Sequence, residues 1–393
     1  MHPLFDRFAQ PPSVDRLLQI VGLVLILIAL IDVYLIVLYP RSGRGWLSSL
    51  ISKGTWRLFQ KIAKIGRSVR RSEQFGAAIL SFCGPTLLIL IVLAWTTLMI
   101  VGFACVYQPE LGQEIQASDG FTPVNFTTAL YYSGYVFTTL GVGDLVPRSD
   151  WVRIVTVIEA GLGFAIFTLT LTYLLSIYNA LGHRNVFALM LHHRTMGKAD
   201  AAELLARMGT SGDFSDARDD VAELAKSLLI LLESHHAYPV VHYFRFQNDL
   251  YSLARIVWLA MDTVTLINTA LHPDRYRAFI RSTVVAELAN GGQHLLMELS
   301  YTFLPKRSFT PGREDELILK QRYLQAIDRL RQEGIETVTD LEAGIEQYIQ
   351  MRRRWVPYVM AIAHYMGYRW HEVAPSESPI VRETGWTLAP PRL

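Results

Sequence analysis

The sequence predicts an all-α membrane protein in two parts, a set of apolar spans followed by a helical, charge-rich domain. Three observations carry this. The 393 residues are 51% hydrophobic and only 18% charged, with a mean hydropathy of +0.24. Residues 1–182 hold 13 Lys+Arg and 10 Asp+Glu, against 24 and 25 in the remainder. Within that first part, three runs exceed the roughly 20 apolar residues that cross a bilayer core. The net charge of +2 asks for no nucleic-acid partner, and the balanced second half has the composition of a surface in water.

Residues 17–39, "LLQIVGLVLILIALIDVYLIVLY", form the first expected span. No basic leader or small-residue cleavage site precedes it, so no cleaved signal peptide is expected. Asp32 interrupts the run. A carboxylate at membrane depth is costly, so it is expected against other helices or near an interface. Residues 41–74 hold nine Lys+Arg against one acid, Glu73, interleaved with Trp46, Leu50, Leu58, Phe59, Ile62 and Ile65. That mixture suits a helix on an anionic inner leaflet; a plain solvated linker is the alternative.

Residues 75–107 form a second span, too long for one perpendicular crossing, with Gly84-Pro85 as a natural kink. Cys83 and Cys105 both fall in it. At about 1.5 Å per residue they stand roughly 33 Å apart and cannot pair within that helix. Residues 151–181 form the third span. Residues 108–124 carry three acids and no base. The positive-inside rule therefore places the amino terminus outside, linker 41–74 inside and the carboxyl-terminal domain in the cytoplasm, in a multi-pass plasma (inner) membrane protein. The expected divisions are 1–40, 41–74, 75–182 and 183–393.

Between spans two and three, residues 124–147 are apolar and aromatic but too short to cross twice as helices. They contain "FTTLGVGDLVP", residues 137–147. Non-helical backbone at membrane depth is tolerated only where protein buries it or it lines a water-filled path. Glycine reaches conformations barred to other residues. Gly141 and Gly143, alternating with Leu140 and Val142, allow successive carbonyls to face one way and replace the hydration shell of an ion. Thr138 precedes this strand, Thr139 can add a side-chain oxygen, and Asp144 can draw cations to the outer mouth.

Thr139-Leu140-Gly141-Val142-Gly143-Asp144 resembles the filter of the two-transmembrane-type potassium channels, which reads T-V-G-[YF]-G-D. Tyr131-Tyr132 stand where that family has a tryptophan pair. Pro147, Trp151 and Arg153 match some bacterial members. Gly163 lies where an inner-helix hinge is common. The resemblance covers residues 76–181. It implies a pore-loop cation channel fold of outer helix, pore helix, filter and inner helix, here with an extra amino-terminal span and a helical cytoplasmic domain. It also implies a cyclic homotetramer, with potassium held by the carbonyls of Thr139, Leu140, Gly141 and Val142, and no other cofactor. Val142 departs from the family aromatic, so the hydrogen-bonded cuff around the filter loses one link. Tyr135 replaces a family glutamate, and is expected either to donate to Asp144 or merely to pack. Glu159 is expected to approach the pore helix from behind, as a functional acid or a structural hydrogen bond.

Gly161 and Gly163 offer the inner helix a flexible point. Phe164, Phe167 and Leu171 share one helical face. By resemblance that face lines the cavity and gate; packing between subunits is the alternative. The first span lacks an arginine ladder, so no steep voltage sensor is expected.

Residues 183–393 read as helices over 199–208, 215–236, 248–271, 275–303, 311–334 and 338–367. The run 248–271 is apolar enough to span, but Arg255 and Asp262 favour a buried bundle helix. No strand with a G-x-G-x-x-G turn appears. His192-His193, His235-His236 and His242 are expected to be surface or hydrogen-bonded rather than metal-binding. "MRRRW", 351–355, reads as a solvated face, or one that meets acidic partners or the inner leaflet. No nucleophile–base pair or phosphate loop stands out, so no enzyme is expected. Three readings follow: a potassium channel gated through the helical domain, a weakly selective monovalent cation channel, or a non-conducting membrane-anchored signalling module.

Overall fold

The computed structural model describes residues 14–39, 45–70, 73–304 and 316–375. The expected outside amino terminus before Val14, and the first residues of the expected helix 311–334, lie outside the described residues. The protein is mostly helical. Three helices are long and apolar enough to cross a membrane, over Val14–Leu38, Gln74–Glu110 and Asp150–Arg194. In space the chain divides into two compact units. Of the described residues, one comprises those up to Arg57 together with Pro85–Ile177; the other comprises those within 58–84 and from Tyr178 onward.

The first unit opens with α1 (Val14–Val33), which ends in a π-helical turn over Tyr34–Leu38. Helix α2 (Trp46–Arg70) follows. Its first residues are anchored by Asp32, which is buried. The amides of Leu47 and Ser48 donate to Asp32 Oδ1 at 3.0 and 3.3 Å. The Ser48 hydroxyl and the Trp95 indole donate to Oδ2, the latter at 2.8 Å. An amide at a helix start has no intrahelical acceptor, and a carboxylate there also meets the positive end of the helix dipole. The acid in the first span is thus a helix cap supplied from another element.

The second apolar segment is two helices, α3 (Glu73–Ser81) and α4 (Cys83–Tyr107). The break falls at Phe82, just ahead of Gly84-Pro85, so Pro85 lies in a first turn where its missing amide costs nothing. Both cysteines are free and buried. Helices α1 and α4 approach closely through glycine: a Cβ on Gly22 would lie 2.4 Å from the Gly102 carbonyl oxygen. Small residues give membrane helices this backbone-to-backbone packing.

Beyond α4, a two-stranded antiparallel sheet pairs β1 (Ile115–Ala117) with the later β2 (Leu145–Pro147), in the register Gln116↔Val146. Between them lies the short helix α5 (Phe126–Phe137), started by Asn125, whose side chain accepts from the Thr128 amide at 2.9 Å. Helix α6 (Asp150–Arg194) then runs 45 residues without a break. It outlasts the expected third span because nothing in "LGHRNVFALMLHHR" stops a helix.

The second unit is an all-α bundle. Besides α3 and the later parts of α2 and α6, its elements are α7 (Ala201–Met208), α8 (Ala217–Ala237), α9 (Leu253–Thr269), α10 (Arg277–Ile280), α11 (Thr283–Phe303), α12 (Glu316–Gln332), α13 (Leu341–Tyr365) and α14 (Trp370–Val373). Helix α8 packs on α11 and α9 on α13. All of α9 except Asn268 is buried, so the most apolar helix of the second half is a bundle core. At its centre Asp262 accepts from Arg352 at 2.7 Å, Arg322 at 2.8 Å and Tyr348 at 3.0 Å. Burial opposes ionisation of Asp262, but the two guanidiniums outweigh it and hold the carboxyl below its ordinary value. Within "MRRRW", Arg352 and Trp355 are fully buried core residues, while Arg353 pairs with Glu316 at the surface. The segment therefore keeps Arg353 and Arg354 on a solvated face and turns Arg352 and Trp355 into the core.

A candidate pore loop

Each residue from Thr138 to Asp144 is exposed in the single chain, between the end of α5 and the start of β2. Its backbone alternates in hand. Thr139, Gly141 and Gly143 have φ of +56°, +62° and +78°, and the residues between them do not share the positive sign. A peptide plane flips relative to its neighbour in an ordinary strand. An alternation of left- and right-handed residues cancels that flip and would turn successive carbonyls to one side and successive amides to the other. Glycine takes the left-handed conformation freely. At Thr139 it costs about 1–2 kcal/mol, and such strain concentrates at functional sites.

The start of this strand is tied to α5. Thr138, Thr139 and Leu140 donate their amides to the carbonyls of Gly134, Val136 and Tyr135 at 3.1, 3.0 and 2.9 Å. Its far end is tied to the sheet, where the Ser118 amide donates to the Asp144 carbonyl at 2.8 Å. Behind it the aromatics of α5 form an edge-to-face chain. Tyr135 meets both Tyr131 and Tyr132 at 5.3 Å, and Tyr132 meets Tyr107 at 4.9 Å.

Their hydroxyls have definite partners. Tyr135 donates to the Leu145 carbonyl at 2.6 Å rather than to the Asp144 carboxylate. Asp144 instead lies near Tyr131. The geometry explains the exchange: Tyr131 is exposed beside the loop, while Tyr135 is buried under β2. Tyr132 lies 2.9 Å from the Thr156 hydroxyl. Thr156 spends its own proton on the Val152 carbonyl at 2.8 Å, so Tyr132 is the donor.

Glu159, on α6, is fully buried and meets α5 from behind, where the Ser133 hydroxyl lies 2.5 Å from Oε1. Farther along α6, Gly161 has open space around it. A Cβ on Gly163 would lie 2.0 Å from the Phe137 carbonyl oxygen. Gly163 therefore lets the last residue of α5 rest directly on the inner helix, and α6 runs through both glycines without a break. Phe164, Phe167 and Leu171 are exposed on one face of α6 in the single chain.

The histidines divide. His235 and His242 are buried in the helical unit, not at its surface, with ring centres 6.2 Å apart. His235 Nδ1 lies 2.8 Å from the Leu231 carbonyl, and His242 stacks on Phe303 at 3.6 Å. Burial holds His235 down at about 4 and His242 well below its ordinary value, so both are neutral near neutral pH. No cluster of three metal-ligating side chains occurs among the described residues.

Comparison with known proteins bears on one segment and on the chain as a whole. The family model for ion channels matches residues 85–179. An uncharacterized membrane protein of Bacillus subtilis (strain 168), YdjJ, is 28% identical over 263 residues, covering 66% of this chain and 71% of that protein. No solved structure matches the chain. Outer helix, short helix, alternating glycine strand and inner helix occur in that order within the matched segment, so residues 85–179 have a pore-loop fold and are similar to the two-transmembrane ion-channel family.

Proposed function

We propose that this protein is a passive potassium channel, a homotetramer in the plasma (inner) membrane with its helical domain in the cytoplasm. The observation that carries the reading is the alternation of hand at Thr139, Gly141 and Gly143. One chain then offers a row of carbonyls, and four chains around an axis would enclose an ion. Potassium sits between the oxygens of Thr139, Leu140, Gly141 and Val142, and Asp144 marks the outer mouth. Tyr131, Tyr132, Tyr135 and Glu159 brace the loop. Phe164, Phe167 and Leu171 line the cavity and close it by excluding water, under control of the helical domain. Helix α2 exposes Trp46, Leu50, Leu58 and Ile62 beside Lys53, Arg57 and Lys61, which suits an anionic inner-leaflet surface.

The test is a reversal potential across liposomes holding potassium inside and sodium outside. A potential near the potassium equilibrium value supports the reading. A potential near zero with ample flux favours a weakly selective cation pore, the reading for which Val142 speaks: valine has no hydroxyl to join the aromatic cuff. Absence of flux, even after Phe164→Ala and Phe167→Ala, would leave a non-conducting membrane anchor.

A further inference from the structure

Helix α6 is longer than a bilayer needs. Its 45 residues extend about 67 Å, some twice the roughly 30 Å hydrocarbon core. Counting about 20 residues from Asp150, the residues after about Thr170 lie past the apolar layer. There α6 has two contrasting faces. Ile177, Ala180, Leu181, Phe187, Ala188 and Leu191 are buried. The opposite face stays exposed and keeps large apolar residues, with Tyr178 at 55%, Val186 at 67% and Leu189 at 38% exposure, beside the polar Asn179 and His183.

This face is not a scatter of surface residues. Among the exposed positions of α6, one row steps by 3, 4 and 4 from Phe164 through Phe167, Leu171 and Leu175, and the same step repeats through Tyr178, Gly182, Val186, Leu189 and His193; Thr168, Thr172, Asn179 and His183 are exposed to one side of it. Steps of 3, 4 and 4 make an 11-residue repeat. At 100° per residue, 11 residues overshoot three full turns by only about 20°. Such a repeat holds a stripe on one side of a nearly straight helix, and in a helical bundle it gives a gentle right-handed supercoil. Gly182 has no neighbour within 4 Å of a would-be Cβ, so the stripe has no partner in its own chain at that position.

We propose that this stripe packs against the same stripe of neighbouring copies of this chain, so that four α6 helices continue past the bilayer as a parallel stalk. The occupant follows from continuity. The stripe begins at the residues assigned above to the pore axis and keeps its register without a break, so a rotation axis through Phe164 and Leu171 carries Leu175, Tyr178, Val186 and Leu189 with it. The inference rests on the tetrameric reading of the pore.

Cysteine cross-linking of the full chain in native membranes tests both and separates them. Leu171→Cys, Val186→Cys and Leu189→Cys are oxidised in parallel with Tyr301→Cys, an exposed position on α11. The native Cys83 and Cys105 are buried, so the unsubstituted chain gives the background. The stalk predicts dimers and higher bands at 171, 186 and 189, at least ten-fold above those at 301. Bands at 171 with none at 186 and 189 overturn the stalk and leave the tetrameric pore standing. Bands at none of the stripe positions overturn the tetramer as well. Equal bands at 301 reject the stripe as a specific contact.

Discussion

The Cβ that Gly163 lacks would stand 2.0 Å from the carbonyl oxygen of Phe137. The inner helix and the last residue of the short helix thus meet backbone to backbone, at the point where the glycine strand begins. A glycine here suggests a hinge when only the sequence is in view, but the unbroken helix gives it a packing role.

The two roles predict different variants. Gly163→Ala forces α5 away from α6, an overpacking that costs about 1–3 kcal/mol or more. It should lower the thermal midpoint of the purified channel and abolish flux. Gly161→Ala meets open space and gains up to about 1 kcal/mol of helix propensity. Flux retained in Gly161→Ala and lost in Gly163→Ala fits packing; equal, mild gating shifts in both would restore the hinge.

Asp32 makes a second prediction. Asp32→Leu strands the amides of Leu47 and Ser48 and the Trp95 indole, and each unpaired buried donor costs about 1–3 kcal/mol. Asp32→Asn keeps one acceptor oxygen for the two amides but turns an NH2 toward the indole. Thermal midpoints should therefore fall in the order wild type, Asn, Leu. Indistinguishable midpoints would remove Asp32 as the anchor of α2.

What the sequence made legible was periodic or spaced: the three spans, the glycine alternation, and most of the bundle helices to within a few residues. What it hid depends on distant partners. Nothing local marks Asp32 as the cap of α2, because the capped amides lie 15 and 16 residues away. Arg352 looks like one of three solvated arginines until α9 brings Asp262 to it from 90 residues back. Phe82 breaks the second span although Gly84-Pro85 is the stronger local signal. The β1–β2 pair is three residues long on each side, too short for an alternation to be read.

The buried charge cluster should resist only paired replacement. Asp262→Ala leaves two guanidiniums facing each other without their carboxylate, a loss of about 3–5 kcal/mol. Replacing Asp262, Arg322 and Arg352 together by Leu, Met and Met should recover most of it. Urea midpoints of the purified chain followed by helical circular dichroism read both. A triple variant no more stable than the single one would mean the cluster contributes more than its desolvation costs.

Acid should loosen the helical unit in two stages. A histidine whose folded pKa is depressed binds fewer protons folded than unfolded, so its contribution is present above its unfolded value near 6.5 and lost as pH falls toward its folded value. His235 therefore lowers stability from about pH 6.5 down to about 4, and His242 from about pH 6.5 downward, each by up to about 1.4 kcal/mol per pH unit. Glu203 is held down at about 2, chiefly by hydrogen bonds from Arg329, and its contribution persists until pH falls below about 4. His242→Phe, which keeps the stack on Phe303, should flatten the first stage and leave the second. An unchanged slope between pH 6.5 and 4 would remove His242 as its source.

The filter itself gives the last prediction. Val142 is exposed in the middle of the alternating strand, and Tyr135 of α5 already donates its hydroxyl to the Leu145 carbonyl. A valine adds nothing to that hydrogen bonding, so the strand is braced at its ends and not at its middle. Val142→Tyr supplies a hydroxyl at the middle. If it finds a partner, one further hydrogen bond of about 1 kcal/mol stiffens the carbonyl row, which corresponds to about a five-fold change in an equilibrium ratio. Cavity-fit and ligand-field accounts both make discrimination depend on how firmly the carbonyls keep their spacing. The potassium-to-sodium permeability ratio of Val142→Tyr should therefore rise about five-fold over wild type, while Val142→Ile, which adds bulk without a hydroxyl, should leave it unchanged. A rise in both would assign the effect to packing, and a rise in neither would mean that the middle of the strand is already held.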